Sequence, residues 1–380
     1  MKRLLHNARV LTNAGFENDL GVLIEGERIV AIAPLQELRD MQIERRDLHG
    51  AYLVPGFIDC QVNGGGDVLF NDNPSVEAIA RIAQAHRQFG TTGLLPTLIS
   101  TDIGTMRAAI DAVYRAIEQG VPGVLGIHLE GPFLAAARKG VHDPNVFRAP
   151  SREEIELVCS LKRGRTLLTV APECVSLEAI RELSERDVIV CVGHTAADYA
   201  QTRAALDAGA RGFTHLFNAM TPMGSREPGV VGAALSDPAS WCGMIVDGFH
   251  VHPVTLRVAL AAKARGKIFL VTDAMPPVGG ANATFKLGDL TIECRDGRCT
   301  TGDGTLAGSS LDMAGAVRNA VTQIGIPLTD AVRMASTYPA DFLGSNGRGR
   351  IAPGCRADLV VLDQNLDVRE TWIGGERFAG

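Results

Sequence analysis

The chain has 380 residues, of which 46% are hydrophobic and 21% are charged, as in ordinary globular proteins. This length is sufficient for one large domain with an appendage or for two domains. The formal net charge is −6 and no block of basic residues is present, which argues against nucleic acid or an anionic membrane as a partner. No apolar run is long enough for a signal peptide or a membrane span, so we expect a cytoplasmic protein.

Both ends of the chain have the pattern of short β-strands separated by turns. The predicted strands are residues 4–11, 19–24, 28–33 and 46–53 near the start, and 358–363 and 368–373 near the end. Neither set is large enough to bury a core alone. We therefore predict one small β-sandwich domain that is built from residues 1–53 and 346–380.

Between these ends, short apolar strands alternate with segments of helical length, which is the pattern of a parallel sheet. The predicted strands are residues 53–61, 93–99, 124–130, 166–171, 188–194, 212–215, 241–248 and 267–272. Eight such strands with intervening helices predict an α/β fold, a (β/α)8 TIM barrel over residues 54–345.

The predicted helices are residues 75–89, 103–119, 151–161, 177–186, 197–208, 253–265, 311–324 and 328–343. Ser151, Ser176 and Thr195 lie at or just before the expected N-caps. After the eighth strand, residues 284–300 predict a hairpin at the rim of the barrel mouth.

Eight cysteines are scattered along the chain without the CxxC spacing of a zinc ribbon or a redox motif. Cys294 and Cys299 flank Asp296-Gly297, which is typical of a type I′ hairpin and would place the two cysteines opposite each other. Because the cytosol is reducing, we expect both to remain thiols.

Three polar residues follow buried strands that end at the same edge of the predicted barrel. Glu130 follows the strand at 124–129, His194 follows Gly193, and His215 follows Thr214. In TIM barrels the chemistry lies at the carboxyl ends of the strands. Two histidines and one glutamate form the ligand set of open, catalytic zinc sites, so we predict a metal site here.

A fourth polar residue, Asp273, ends the eighth strand. Hydrolysis at a metal site needs a group that takes and returns protons, and Asp273 is placed for that role. The first strand carries Gln61 where two-metal hydrolases of similar architecture have the second histidine of His-x-His. A single divalent ion per subunit is therefore favoured, with zinc as the expected ion. Gln61 is a candidate to hydrogen-bond the water on this ion.

Seven motifs together resemble those of the N-acetylglucosamine-6-phosphate deacetylase family within the amidohydrolase superfamily. They are Pro55-Gly56-Phe57-Ile58-Asp59, His128-Leu129-Glu130-Gly131-Pro132, Gly193-His194-Thr195, Thr214-His215-Leu216-Phe217-Asn218-Ala219-Met220, Arg226-Glu227-Pro228-Gly229, Asp247-Gly248-Phe249-His250 and Val271-Thr272-Asp273-Ala274. The resemblance covers nearly the whole chain in order. It implies hydrolysis of the acetamide of N-acetylglucosamine 6-phosphate to glucosamine 6-phosphate and acetate.

The resemblance also implies the roles of individual residues. The metal would bind to the three residues named above, and Asp273 would be the general base and acid. His142 would polarise the acetyl carbonyl.

Four further residues would hold the sugar phosphate, namely the backbone amides of Asn218 and Ala219 with Arg226 and His250. In some members of the family, the equivalents of Arg226 and His250 act across a dimer interface, so we expect a homodimer. The residues themselves agree with a phosphate site, since Arg226 has a planar fork of donors and glycines on both sides.

Two other functions remain as alternatives. A cyclic-amide hydrolase or a base deaminase on the same barrel is disfavoured because His-x-His is missing and Arg226 suits a phosphate. A barrel that serves only in assembly has no need for four polar groups at its mouth. The pair His250-Val251-His252 invites a metal interpretation, but we predict a loop or helix-cap role for His252.

Overall fold

The first strands of the chain belong to a mixed β-sheet. In the computed structural model, which describes residues 2–38 and 41–379, these strands are β1 (Lys2–Leu11), β2 (Phe16–Glu17), β3 (Leu20–Glu25), β4 (Arg28–Pro34) and β5 (Glu44–Pro55). β1 pairs antiparallel with β3 and in parallel with β5. All four strands predicted in this region are confirmed.

One residue separates β5 from the first strand of the barrel. Its eight strands and one short ribbon are β6 (Phe57–Val62), the ribbon β7 (Gly64–Gly65) and β8 (Val68–Leu69), β9 (Thr91–Ile99), β10 (Gly126–Glu130), β11 (Arg165–Val170), β12 (Ile189–Val192), β13 (Gly212–Phe213), β14 (Trp241–Met244) and β15 (Ile268–Leu270). The strands pair in parallel in the order β15-β14-β13-β12-β11-β10-β9-β6. A bridge between Val62 and Ala274 closes this sheet into the predicted barrel.

The predicted first barrel strand at 53–61 is divided into two strands that belong to different sheets. β5 ends at Pro55, β6 begins at Phe57, and Gly56 lies between them. A Cβ atom on Gly56 would lie 2.1 Å from Oγ1 of Thr92, so only glycine fits at this crossing. The strand from one sheet can therefore continue directly into the other.

The helices on the outside of the barrel are α1 (Val76–Arg87), α2 (Ile103–Glu118), α3 (Arg152–Val158), α4 (Leu177–Glu185), α5 (Tyr199–Asp207), α6 (Gly229–Ser236), α7 (Pro253–Ala262), α8 (Met313–Asn319), α9 (Leu328–Ala335) and α10 (Thr337–Phe342). Ser151 and Ser176 cap α3 and α4 as predicted. α5 instead begins after Asp198, and Thr195 donates a hydrogen bond to Glu173. None of these helices in the described part of the chain is long and apolar enough to cross a bilayer.

The sequence did not predict α6, and it predicted α9 and α10 as one helix. α6 contains two glycines and follows the segment Glu227-Pro228, which obscures its helical pattern. α8 is followed by a π-helical turn, Ala320–Ile324, which was predicted as its continuation.

A small antiparallel sheet is inserted after the last barrel strand. It contains β16 (Thr284–Leu287), β17 (Leu290–Arg295), β18 (Arg298–Thr300) and β19 (Leu306–Ser309), and we call it the insert sheet. Cys294 lies opposite Cys299 as predicted. The prediction that they remain thiols is wrong, since the two sulfurs form a disulfide bond. Their Cα atoms are only 4.0 Å apart, so the hairpin register itself brings the sulfurs together.

The chain returns to the first sheet with β20 (Leu359–Leu362), β21 (Val368–Ile373) and β22 (Glu376–Ala379). β20 pairs antiparallel with β5, so the order of the sheet is β22-β21-β20-β5-β1-β3-β4. The sheet curls over its own core, because Ile29 of β4 bonds through its backbone to Cys355 just before β20 (2.9 Å). Trp372 is among the buried side chains of this second core.

Candidate active site

Glu130, His194 and His215 converge at the mouth of the barrel. Oε1 of Glu130 lies 3.0 Å from Nε2 of His215 and 3.3 Å from Nε2 of His194, and the two nitrogens are 3.0 Å apart. All three side chains are buried, and they form the only group of three possible metal ligands among the described residues. The arrangement predicted from the strand ends is therefore present.

The backbone is strained where it presents two of these side chains. His194 has a φ of 47° and His215 a φ of 31°, and Asp273 has a φ of 54°. Left-handed conformations of non-glycine residues persist only where the surrounding structure holds them, and they cluster at functional sites. Each of these residues follows the end of a barrel strand, and its side chain lines the cavity at the barrel mouth.

The donor atoms of this cluster fit a divalent cation. Nδ1 of His194 donates a hydrogen bond to the carbonyl oxygen of Arg138 (2.9 Å), which leaves a lone pair on Nε2. This lone pair faces Oε1 of Glu130. Burial raises the pKa of Glu130, but the hydrogen bonds and positive charge that His194 and His215 supply when their rings are protonated outweigh it and hold the pKa well below its ordinary value. The carboxylate is therefore charged and ready to bind a cation.

Two amide side chains hydrogen-bond to Asp273, and one of them also reaches the cluster. Gln61 donates from Nε2 to Oε1 of Glu130 (3.0 Å) and to Oδ1 of Asp273 (3.2 Å). Asn63 donates from Nδ2 to the same Oδ1 (2.6 Å). Burial, and then the charge of Glu130, raise the pKa of Asp273 above its ordinary value. Gln61 thus holds the two carboxylates in one network.

Asp59 lies behind this network and joins the first barrel strand to the last. Its carboxylate accepts hydrogen bonds from the backbone nitrogen of Gln61 (3.1 Å) and from Oγ1 of Thr272 (2.5 Å). Burial is the main cause that raises the pKa of Asp59 to about 7. Asp59 therefore fixes the backbone next to both Gln61 and Asp273.

His142 borders the cluster on its open side. Its Nε2 lies 4.0 Å from Oε2 of Glu130, and its ring centre is 4.4 Å from that of His194. Nδ1 lies 2.8 Å from Oγ of Ser100. Burial lowers the pKa of His142 to about 3, so its imidazole is neutral. A neutral ring in this position can donate one hydrogen bond to a carbonyl oxygen of a ligand.

A cavity of about 400 Å³ opens above the cluster. Asn218, Ala219 and His250 line it together with His142 and the metal-ligand cluster. Nδ1 of His250 hydrogen-bonds to Oδ2 of Asp247 (2.6 Å), which orients the ring. The volume of the cavity lies within the range of small-molecule sites.

Two predicted site residues, Gln61 and Arg226, do not line this cavity; Gln61 is buried and hydrogen-bonds to Glu130 and Asp273. Among the described residues, those that line the cavity do not include Arg226, which is exposed in the loop before α6. The insert sheet does line the cavity, with Arg298, Thr305 and Leu306, as predicted for the hairpin after the eighth strand. His252 caps α7 by accepting a hydrogen bond from the backbone nitrogen of Val254, which confirms its predicted cap role.

Asn63 and Ser100 belong to the site but were not predicted from the sequence. Asn63 is two residues after Gln61, so its side chain points in the same direction as that of Gln61. Ser100 directly follows β9, at the same kind of strand end as Glu130. Both positions obey the strand-end rule that located the metal ligands, but serine and asparagine are too common in loops to be selected without the structure.

A barrel with possible metal ligands at its strand ends is the architecture of the amidohydrolases. Residues 52–378 match the model of the Amidohydrolase family, and the chain belongs to this family. The superfamily that the motifs predicted is thereby confirmed.

Individual proteins are also similar to this chain over most or all of its length. An N-acetylgalactosamine-6-phosphate deacetylase from Shewanella sp. (strain ANA-3) is 46% identical over 324 residues, 85% of this chain and 82% of the relative. An N-acetylglucosamine-6-phosphate deacetylase from Haemophilus influenzae is 36% identical over 99% of both chains. The crystal structure of N-acetylglucosamine-6-phosphate deacetylase from Pasteurella multocida superposes with a TM-score of 0.97, at 34% identity and with both chains fully covered.

Proposed function

We propose that the protein hydrolyses the acetamide of N-acetylglucosamine 6-phosphate to glucosamine 6-phosphate and acetate, in amino-sugar metabolism. The observation that carries this proposal is the network in which Gln61 links Glu130 of the ligand cluster to Asp273. It places a proton-transfer group beside a site for a Lewis acid, which is the arrangement that metal-assisted amide hydrolysis requires. The names of the similar proteins support the substrate.

Glu130, His194 and His215 would hold one divalent ion per subunit, and zinc is the ion that this ligand set favours. Such an ion supplies Lewis acidity, which lowers the pKa of a water molecule and polarises a carbonyl group. The cluster is buried, so the ion would act in an environment of low dielectric constant.

Asp273 has one oxygen available for proton transfer. Oδ1 accepts hydrogen bonds from both Gln61 and Asn63, and no hydrogen bond from the described residues reaches Oδ2. We assign Oδ2 as the atom that takes a proton from the attacking water and then delivers it to the leaving amine. The raised pKa of Asp273 suits a group that must both accept and return a proton.

His142 would donate a hydrogen bond from Nε2 to the acetyl oxygen as negative charge develops on it. This needs the hydrogen of the neutral ring on Nε2, so Nδ1 must accept. Oγ of Ser100 lies 2.8 Å from Nδ1 and 3.1 Å from the carbonyl oxygen of Glu130, to which it can donate its single hydrogen. We propose that this hydrogen turns to Nδ1 when substrate binds and so fixes the tautomer. Ser100 would thus position His142 without contacting the substrate.

The backbone amides of Asn218 and Ala219, together with His250, would bind the sugar phosphate at the other end of the cavity. Arg226 would reach the cavity of a second subunit in a homodimer. Exposed apolar side chains support such an interface, since Met223, three residues before Arg226, is 58% exposed and Val258 of α7 is 54% exposed.

Mixed dimers test whether Arg226 acts across the interface. Arg226→Ala and Asp273→Asn homodimers should each be impaired, but a heterodimer of the two contains one site with both native residues. Recovery of about half of the wild-type activity per heterodimer supports action across the interface. Failure of the mixed dimer to recover activity places Arg226 in its own subunit's site, and an Arg226→Ala homodimer that keeps wild-type activity removes it from the phosphate site.

The central experiment measures acetate release from N-acetylglucosamine 6-phosphate and from the unphosphorylated sugar, before and after chelation. Activity with the phosphorylated sugar, lost on chelation and restored by a divalent ion, supports the proposal. N-acetylgalactosamine 6-phosphate is the second candidate substrate, because the Shewanella relative carries that name. A comparison of kcat/KM for the two epimers decides between them.

Two further predictions from the sequence belong to this proposal. We place the protein in the cytoplasm, where sugar phosphates are retained. We also retain the division into a terminal β domain, residues 1–53 and 346–380, and a catalytic barrel, residues 54–345. The two separate hydrophobic cores support this division.

A further inference from the structure

The cavity has a strongly uneven distribution of fixed charge. Its buried end contains the carboxylates of Glu130 and Asp273. Among the described residues that line the cavity, Arg298 of the insert sheet is the only lysine or arginine. A phosphate dianion needs a permanent cation nearby, and histidine is mostly neutral at neutral pH. The cavity lining in the described part of the chain therefore has one candidate for this role, Arg298, which was not predicted from the sequence.

The backbone of the insert sheet fixes the position of Arg298. Arg298 in β18 pairs with Ser309 in β19, and the backbone nitrogen of Ser309 donates to the carbonyl oxygen of Asp273 (2.9 Å). Neighbouring strands are about 4.8 Å apart, so two such steps place Arg298 about 10 Å from the catalytic aspartate along the sheet. This separation allows a ligand to extend from one residue to the other.

The hairpin turn next to Arg298 lies against the segment that carries His250. A Cβ atom on Gly297 would be 3.3 Å from Cε2 of Phe249, the residue before His250. Arg298 and His250 both line the cavity. The insert sheet thus brings its arginine to the end of the cavity that we assign to the phosphate.

Arg298 also has no partner within the described residues. No hydrogen bond or ion pair joins its guanidinium to another group in residues 2–38 or 41–379. Arg295 lies directly opposite on β17 and is paired with Glu293 (2.7 Å). Like charges directly opposite each other destabilise a strand pair, so an anion beside Arg298 would relieve this repulsion.

We propose that Arg298 binds the 6-phosphate of the substrate within its own subunit and selects phosphorylated over unphosphorylated sugars. This inference rests on the proposed deacetylase function. The carboxylates at one end and Arg298 at the other orient the substrate, with the acetamide over the metal-ligand cluster and the phosphate under the insert sheet.

The test compares Arg298→Gln and Arg298→Lys with Arg295→Gln, a matched control on the opposite strand of the same hairpin. Arg298→Gln should reduce kcat/KM for the phosphorylated sugar about 10-fold, a change of ~1.4 kcal/mol, mainly through KM. This is at the low end for a charge-assisted contact because the side chain is exposed. Arg298→Lys should recover part of the loss, and Arg295→Gln should resemble wild type. Activity on the unphosphorylated sugar should change less than two-fold in all three variants, on the order expected when no contact is lost.

Binding of the product provides a second measurement that does not depend on turnover. Calorimetry should show that Arg298→Gln weakens glucosamine 6-phosphate about 10-fold and leaves glucosamine unchanged. Equal losses on phosphorylated and unphosphorylated sugars, or an Arg298→Gln variant that matches Arg295→Gln, would overturn the role of Arg298. If the wild-type protein hydrolyses no acetylated sugar phosphate, the deacetylase function itself is wrong. This result differs from the two above, which concern only the role of Arg298.

Discussion

Replacement of Asp273 by asparagine removes one atom's function and preserves the rest of the site. The amide oxygen of the new side chain can take the place of Oδ1 and accept the hydrogen bonds from Gln61 and Asn63. Its NH₂ group then occupies the place of Oδ2, which has no hydrogen-bond donor among the described residues to oppose it. The variant should therefore fold, and it should keep its metal and bind substrate.

Proton transfer should be lost in this variant. A positioned general acid or base typically contributes 10²–10⁴-fold to the rate, and here one oxygen serves in both directions. We expect kcat to fall by about 10³–10⁴-fold, which is ~4–5.5 kcal/mol of transition-state stabilisation. The measurement is kcat beside metal content and substrate affinity, with Asp289→Asn, an exposed turn carboxylate, as the control.

Two results would refute this reasoning. A variant that turns over within a few-fold of wild type shows that Oδ2 of Asp273 does not transfer the proton. A variant that loses its metal shows that Asp273 is a ligand, so the three-residue cluster would be an incomplete description of the site.

Three further predictions concern other parts of the site. Elemental analysis should find about one divalent ion per chain, since Gln61 offers no second full ligand set; two ordered ions would contradict this. Arg226→Ala should impair the phosphorylated substrate far more than the unphosphorylated sugar, and equal losses in kcat/KM would remove it from the phosphate site. Ser100→Ala should lower kcat about 10-fold by releasing the tautomer of His142, a loss of ~1.4 kcal/mol, with KM nearly unchanged. A variant whose KM rises while kcat is unchanged would instead mean that Ser100 contacts the substrate.

The barrel and the polar residues at its strand ends could be predicted from the sequence alone. Buried strands in a parallel sheet are nearly continuous apolar runs, so a polar residue at the end of one, such as Glu130 or Asp273, is conspicuous. Since all strands of a barrel end at one face, residues far apart in the chain could be placed together without any distance.

Other features depended on contacts that no local pattern encodes. The Asp296-Gly297 turn predicted that Cys294 and Cys299 lie opposite each other, but the expectation of thiols came from the reducing cytosol and could not include the 4.0 Å between their Cα atoms. Asn63 acquires its role from Asp273, 210 residues away. Arg298 differs from its cross-strand neighbour Arg295 in that it lines the cavity, whereas Arg295 is paired with Glu293.

The shared sheet of the two chain ends has a consequence for how the protein is made. β5 needs β20 as its second neighbour, and Arg46 on β5 hydrogen-bonds to Glu370, 324 residues later in the sequence. At ribosomal rates of 5–20 residues per second, this partner is synthesised roughly 16–65 s after β5. During that interval an apolar strand edge has no partner, and unpaired edges are sites of aggregation. The barrel is thus translated between two halves of a sheet that only the last strands can complete.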